Sequence, residues 1–124
     1  MPRSPTPSPA ESRADFRRVR RVEELFRERA KEPVTLMEAA ARAGCSVRAL
    51  QIAFRRHRGM TPMAASRRIR LEAAREALAC GGGAASIRAI AAEHGFTNPG
   101  RFARMFREAF GQSPAKLRRV RAES

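Results

Sequence analysis

The sequence has no tryptophan and no tyrosine, two cysteines, two histidines, and only two lysines, Lys31 and Lys116, among its 26 cationic residues. Cys45 and Cys80 are too few for a zinc site of their own, and a basic cytosolic chain should keep them reduced. Nothing approaches the ~18 consecutive apolar residues of a membrane-spanning helix, and the N-terminus lacks the apolar stretch of a signal peptide. No phosphate loop, metal cluster or nucleophile–base pair stands out. His57 and His94 fall on or near apolar faces without a neighbouring acid or nucleophile, as core or edge residues do. An enzyme is therefore not expected, and neither is a cofactor.

Acids are scarce as well. Twelve Asp plus Glu face 26 Lys plus Arg, a formal net charge of +14 in 124 residues. A GC-rich genome accounts for arginine over lysine but not for a two-to-one excess over acids. The expected partner is a polyanion, nucleic acid first, and the expected location is the cytoplasm. The length allows one domain or two very small ones. Abundant alanine and scattered β-branched residues point to helices.

Residues 1–15 carry four prolines among Ser, Ala and charges and read as a disordered tail or linker. From Phe16, apolar residues Val19, Val22, Leu25, Phe26 and Ala30 recur at helical spacing until Pro33. Thr35 and Glu38 form a capping box opening a helix over Leu36–Ala43, which Gly44 closes. Ser46 caps the next, to about Arg58. Thr61-Pro62 opens a long helix, through Leu78, to a stop at Gly81-Gly82-Gly83. The same order then returns: Ser86 before Ile87–His94, Gly95, Asn98-Pro99 before a helix to Phe110, Gly111, and Ser113-Pro114 before a last helix carrying Leu117.

An internal repeat underlies this order. At one offset Leu36, Ala40 and Gly44 fall on Ile87, Ala91 and Gly95; at an offset one residue larger, Ser46, Leu50, Phe54, Gly59 and Pro62 fall on Asn98, Phe102, Phe106, Gly111 and Pro114. The expected fold is all-α: seven helices, two helix-turn-helix subdomains (16–80 with the connecting helix, and 81–121) in a homeodomain-like tandem.

In each copy the second helix must bury one face and offer the other to a major groove. Helical projection puts Leu50, Ala53, Phe54 and His57 inside, with Arg48, Ile52, Arg55 and Arg56 opposite and Gln51 on the flank. In the second copy Phe102, Met105, Phe106 and Ala109 lie inside, with Gly100, Arg104 and Arg107 outward and Arg101 beside them. Between Glu38 and Glu72 there are eight arginines and no acid, and none between His94 and Arg107 either. A solvated helix normally mixes signs, so these windows mark binding faces. Arg pairs with guanine and Gln with adenine; Arg48, Gln51, Arg101 and Arg104 are assigned to base edges. Ile52 is assigned to a thymine methyl, with packing on a neighbouring helix as the alternative. Arg55, Arg56, Arg58, Arg67, Arg68 and Arg107 are assigned to phosphates, which position without reading. The connecting helix, about 27 Å long, would set two readers near the ~34 Å recurrence of the major groove.

The stretch from Ala91 through Gly95-Phe96, Phe102 and Phe106-Arg107 to Gly111 and Pro114, with Gly44, Phe54, Gly59, Pro62 and Arg70-Leu71-Glu72 in the first copy, resembles the DNA-binding domain of the AraC/XylS family of bacterial transcription regulators. The resemblance covers about residues 20–121. It implies a monomer on two adjacent major grooves, activation through contact with RNA polymerase, and an effector or dimerisation domain ahead of the Pro-rich stub unless the chain stands alone. Leu117 replaces the family's usual tyrosine, Ala65 holds the equivalent place in the first copy, and Gly100 leaves the second reading face bare at its start. Two other readings compete. A nonspecific architectural or RNA-binding protein would account for the charge without needing aligned faces. A redox-sensitive Cys45, at a helix start among arginines, competes with a small half-buried turn residue.

Overall fold

A computed structural model describes residues 6–80 and 85–123, all of whose regular elements are helices. In chain order these are α1 (Pro9–Glu28), α2 (Leu36–Ala43), α3 (Val47–Arg58), α4 (Pro62–Cys80), α5 (Ile87–Glu93), α6 (Pro99–Phe110) and α7 (Pro114–Glu123). Side-chain caps fix most of the starts. Thr35, Ser46, Thr61, Ser86 and Ser113 each accept the backbone N–H three residues on, at 3.0–3.1 Å, through their hydroxyl oxygens. Asn98 does the same for Arg101 N–H at 2.9 Å through Oδ1. Each satisfies an amide that the helix leaves without a partner.

Helix α1 begins at Pro9, well ahead of the expected onset at Phe16, so residues 9–15 are helical rather than tail. The reason is local. Ser8 Oγ accepts Glu11 N–H at 3.2 Å while Glu11 Oε2 accepts Ser8 N–H at 3.3 Å, a reciprocal capping box with proline at the first helical position. Asp15, seven residues after that cap, is buried. The glycines expected to stop α4, Gly81–Gly83, lie outside the described residues.

Two compact units divide the chain, and the division falls inside α4 rather than at the glycines: one unit holds residues to Leu25 with Val34–Ala65, the other Phe26–Pro33 with residues from Ser66 on. In the first, α2 packs on α3, and Val19, Val22, Leu25, Ala39, Ala40, Leu50, Ala53, Phe54 and Ala65 are buried. In the second, Leu71, Ala74 and Leu78 of α4 join Ile90, Ala91, Phe96, Phe102, Phe106 and Leu117 in one apolar core. Phe96, Phe102, Phe106 and Phe110 form a chain of tilted ring contacts with centroids 4.8–5.7 Å apart, the arrangement aromatic quadrupoles favour. The burial of Leu117 and Ala65 makes both departures from the family pattern packing changes.

The two turns close differently. Gly44 takes φ 69° and donates back to α2. In the second copy α5 stops at Glu93, one residue earlier than expected, because His94 caps it: its backbone N–H is shared among α5 carbonyls and its Nδ1 lies 2.8 Å from Ile90 O. His94 is buried as that cap, a structural role.

Candidate nucleic-acid interface

On α3 the buried stripe is Leu50, Ala53 and Phe54, with His57 half-buried. Opposite it Arg48, Gln51, Ile52, Arg55 and Arg56 are exposed, Ile52 at 39%. Exposing a large aliphatic side chain costs hydration free energy unless a partner covers it. Here it lines a shallow groove, together with Glu11, Asp15, Arg18 and Arg56, against the early turns of α1. His57 instead meets the edge of the Phe16 ring at 5.6 Å.

On α6 the stripe of Phe102 and Phe106 is buried, and Arg101, Arg104 and Arg107 are exposed. Gly100 is an ordinary helical residue in the first turn, where an added Cβ would meet only Asn98 Oδ1 at 3.5 Å. The bare spot on this face therefore has room for a side chain.

The acid-free windows of the sequence are not acid-free in space. Asp15, its side chain 10% exposed, accepts from Arg56 at 3.0 Å and from Arg18 at 3.2 Å. Glu23 accepts both prongs of the Arg58 guanidinium, at 2.8 and 2.9 Å, and that hydrogen-bonded partner holds the Arg58 pKa above its usual value. Arg68 pairs with Glu72 at 3.1 Å, donates to Ala109 O at 3.2 Å, and lies over the Phe110 ring at 4.9 Å. Three of the six arginines assigned to phosphates, Arg56, Arg58 and Arg68, thus have carboxylate partners within the fold. Arg58 is the most firmly held of the three, because Glu23 takes Nε and Nη2 together and offsets its charge. The side chains of Arg48, Arg55, Arg67, Arg101, Arg104 and Arg107 make no hydrogen bond or ion pair among the described residues.

This difference separates two substitutions. Arg58→Ala is expected to lower stability by about 1–2 kcal/mol, because it leaves the mostly buried Glu23 carboxylate without its fork. The salt dependence of DNA binding should stay unchanged. Arg107→Ala should do the reverse, flattening log K against log salt by about 0.9 while unfolding stays put. Urea unfolding and anisotropy titrations at several salt concentrations measure the two; a flattened slope for Arg58→Ala would contradict its structural role and return it to the phosphates.

Cys45 sits half-buried in the first turn. Burial pushes its thiol above the ordinary value, Arg18 pulls it down and Asp15 adds to the rise. A raised thiol pKa means less thiolate at neutral pH, which disfavours a redox-sensing role.

Two helix–turn–helix pairs, each with an apolar core behind and unpaired arginines in front of its second helix, define a tandem helix-turn-helix DNA-binding domain. A family profile described as a helix-turn-helix domain matches residues 39–120. The chain is 35% identical over 99 residues to the probable thc operon regulatory protein of Rhodococcus erythropolis, covering 79% of this chain and 30% of that protein. It is likewise 35% identical over 96 residues to the XylDLEGF operon transcriptional activator 2 of Pseudomonas putida, covering 77% and 61%. A probable AraC family transcriptional regulator from Rhodopseudomonas palustris superimposes with a TM-score of 0.79 at 36% identity, covering 85% of this chain and 97% of that one. The chain belongs to the AraC family of transcription regulators, a family of DNA-binding proteins rather than enzymes. It spans less than two thirds of the length of the two curated relatives. No described helix is long and apolar enough to cross a membrane.

Proposed function

We propose that the domain binds double-stranded DNA sequence-specifically as a monomer, with α3 and α6 entering successive major grooves. The observation that carries this reading is the pair of unpartnered faces: Arg48, Gln51 and Arg55 on α3, Arg104 and Arg107 on α6, each exposed and backed by a buried apolar stripe. Arg48, Gln51 and Arg104 have the donor patterns that read guanine and adenine edges, and Ile52 suits a thymine methyl. Arg55, Arg67 and Arg107 serve as phosphate anchors. The 19 residues of α4 form one continuous helix, about 28 Å long at 1.5 Å per residue. Contact with RNA polymerase and activation belong to the same proposal, supported by the transcriptional activators among the relatives.

Selection of binding sites from a random duplex pool, repeated at two salt concentrations, tests it. A recurring motif is the expected result. A pool that binds without a motif would make the domain a nonspecific architectural protein. On a selected site, Arg104→Ala is expected to cost about 1–3 kcal/mol and to relax preference at one base pair. An equal loss on every sequence would move Arg104 to the phosphates.

A further inference from the structure

Within the second unit, a cavity of about 230 Å³ opens between α4, the α5–α6 turn and α6. Arg67 and Arg70 of α4 and Arg101 of α6 line it with Phe96, Asn98 and Met105, and no carboxylate does. We infer that this cavity binds a phosphate group, and that the phosphate is one of the DNA backbone beside α6. The inference rests on the DNA-binding reading above and assigns to it a built phosphate site. Arg70 and Arg101 have no phosphate role in the sequence assignments, which put Arg101 at a base edge.

Arg70 supplies the built element. Its Nη1 donates to His94 O and Gly95 O, each at 3.4 Å, and its guanidinium lies 4.9 Å from the centre of the Phe96 ring. Those contacts fix its orientation before any ligand arrives, while its Nε is buried without a partner. Burial and the neighbouring Arg67 charge both disfavour the cation, holding its pKa below the usual arginine value. A partly desolvated cation beside a second cation is stabilised by an anion. Phosphate is an oxyanion that guanidinium forks match in two-pronged geometry, and the space holds several waters' worth of volume. Exposed Arg67 and Arg101, without partners of their own, are placed to close on a phosphate from either side.

The test has two arms. In the first, inorganic phosphate is titrated into the free domain at constant ionic strength while the amide resonances of Gly95, Phe96 and Thr97 are followed. Saturable shifts are expected, and Arg67→Ala and Arg101→Ala should each abolish them; both side chains are exposed, so folding is preserved and circular dichroism checks it. In the second, phosphates of a selected duplex are ethylated one at a time. One ethylation that blocks the unmodified domain is expected to become harmless to Arg67→Ala, and that variant's salt slope should flatten by about 0.9. Saturable phosphate binding with an unchanged ethylation pattern would overturn the DNA source and leave a site for a free phosphorylated molecule. No saturable shift and no changed ethylation would overturn the site itself. Failure of sequence selection, by contrast, would sink the DNA-reading proposal and not the phosphate titration.

Discussion

Phe106→Ala is expected to lower the unfolding free energy of the domain by about 3–5 kcal/mol, the range for deleting a fully buried phenyl ring. Phe106 is 0% exposed and sits between Phe102 at 5.7 Å and Phe110 at 4.8 Å, so its loss removes apolar burial and two ring contacts together. Neighbouring rings are held by α4 and α7 as well as α6, which limits how far the cavity can collapse. Set against a typical total of about 5–15 kcal/mol, the second unit would be marginal at growth temperature. Urea unfolding followed at the helical circular dichroism minimum gives the number; a cost below about 1 kcal/mol would mean that the aromatic chain is not the core.

Gly95→Ala should cost about 1–3 kcal/mol, for two separable reasons. Gly95 holds φ 83°, a left-handed conformation that charges a side chain about 1–2 kcal/mol. An added Cβ would also stand 2.8 Å from Arg70 Nη1. That nitrogen ends a flexible side chain and can swing aside, loosening its 3.4 Å contacts to His94 O and Gly95 O, which adds at most about 1 kcal/mol. Gly100→Ala is the control. Its backbone is ordinary helix with room for a methyl group, so alanine should be neutral or stabilising by up to about 1 kcal/mol. Equal losses at the two glycines would remove the argument from Arg70.

The helices were legible where caps and stops are local. Thr35 with Glu38, Ser46 with Gly59, and Asn98-Pro99 with Gly111 bound α2, α3 and α6 as the sequence predicts. The start of α1 was equally local, in Ser8 and Glu11, but the prolines around them signal disorder by composition and Pro9 reads as one more of these. The glycine run predicts a boundary at the end of α4. The compact units divide earlier because Leu71, Ala74 and Leu78 belong to the second core. Periodicity tells that a stripe is buried, not which neighbour buries it.

The exposed faces of α3 and α6 follow from projection alone, whereas the state of each arginine does not. Asp15 reaches Arg56 and Glu23 reaches Arg58 across 41 and 35 residues, so a window free of acids along the chain says nothing about acids beside it in space. The same distance hid the phosphate cavity, whose arginines come from α4 and α6 and meet only through the fold.

Inserting five base pairs between the two halves of a selected site, and measuring affinity at fixed salt, tests two-groove reading most directly. Half a helical turn carries one groove to the far face of the duplex. Affinity is expected to fall at least about tenfold, or roughly 1.4 kcal/mol, to that of a duplex bearing one half alone, and Arg104→Ala should then cost nothing further if α6 is the reader displaced. Unchanged affinity across the insertion would contradict a single chain gripping two successive grooves.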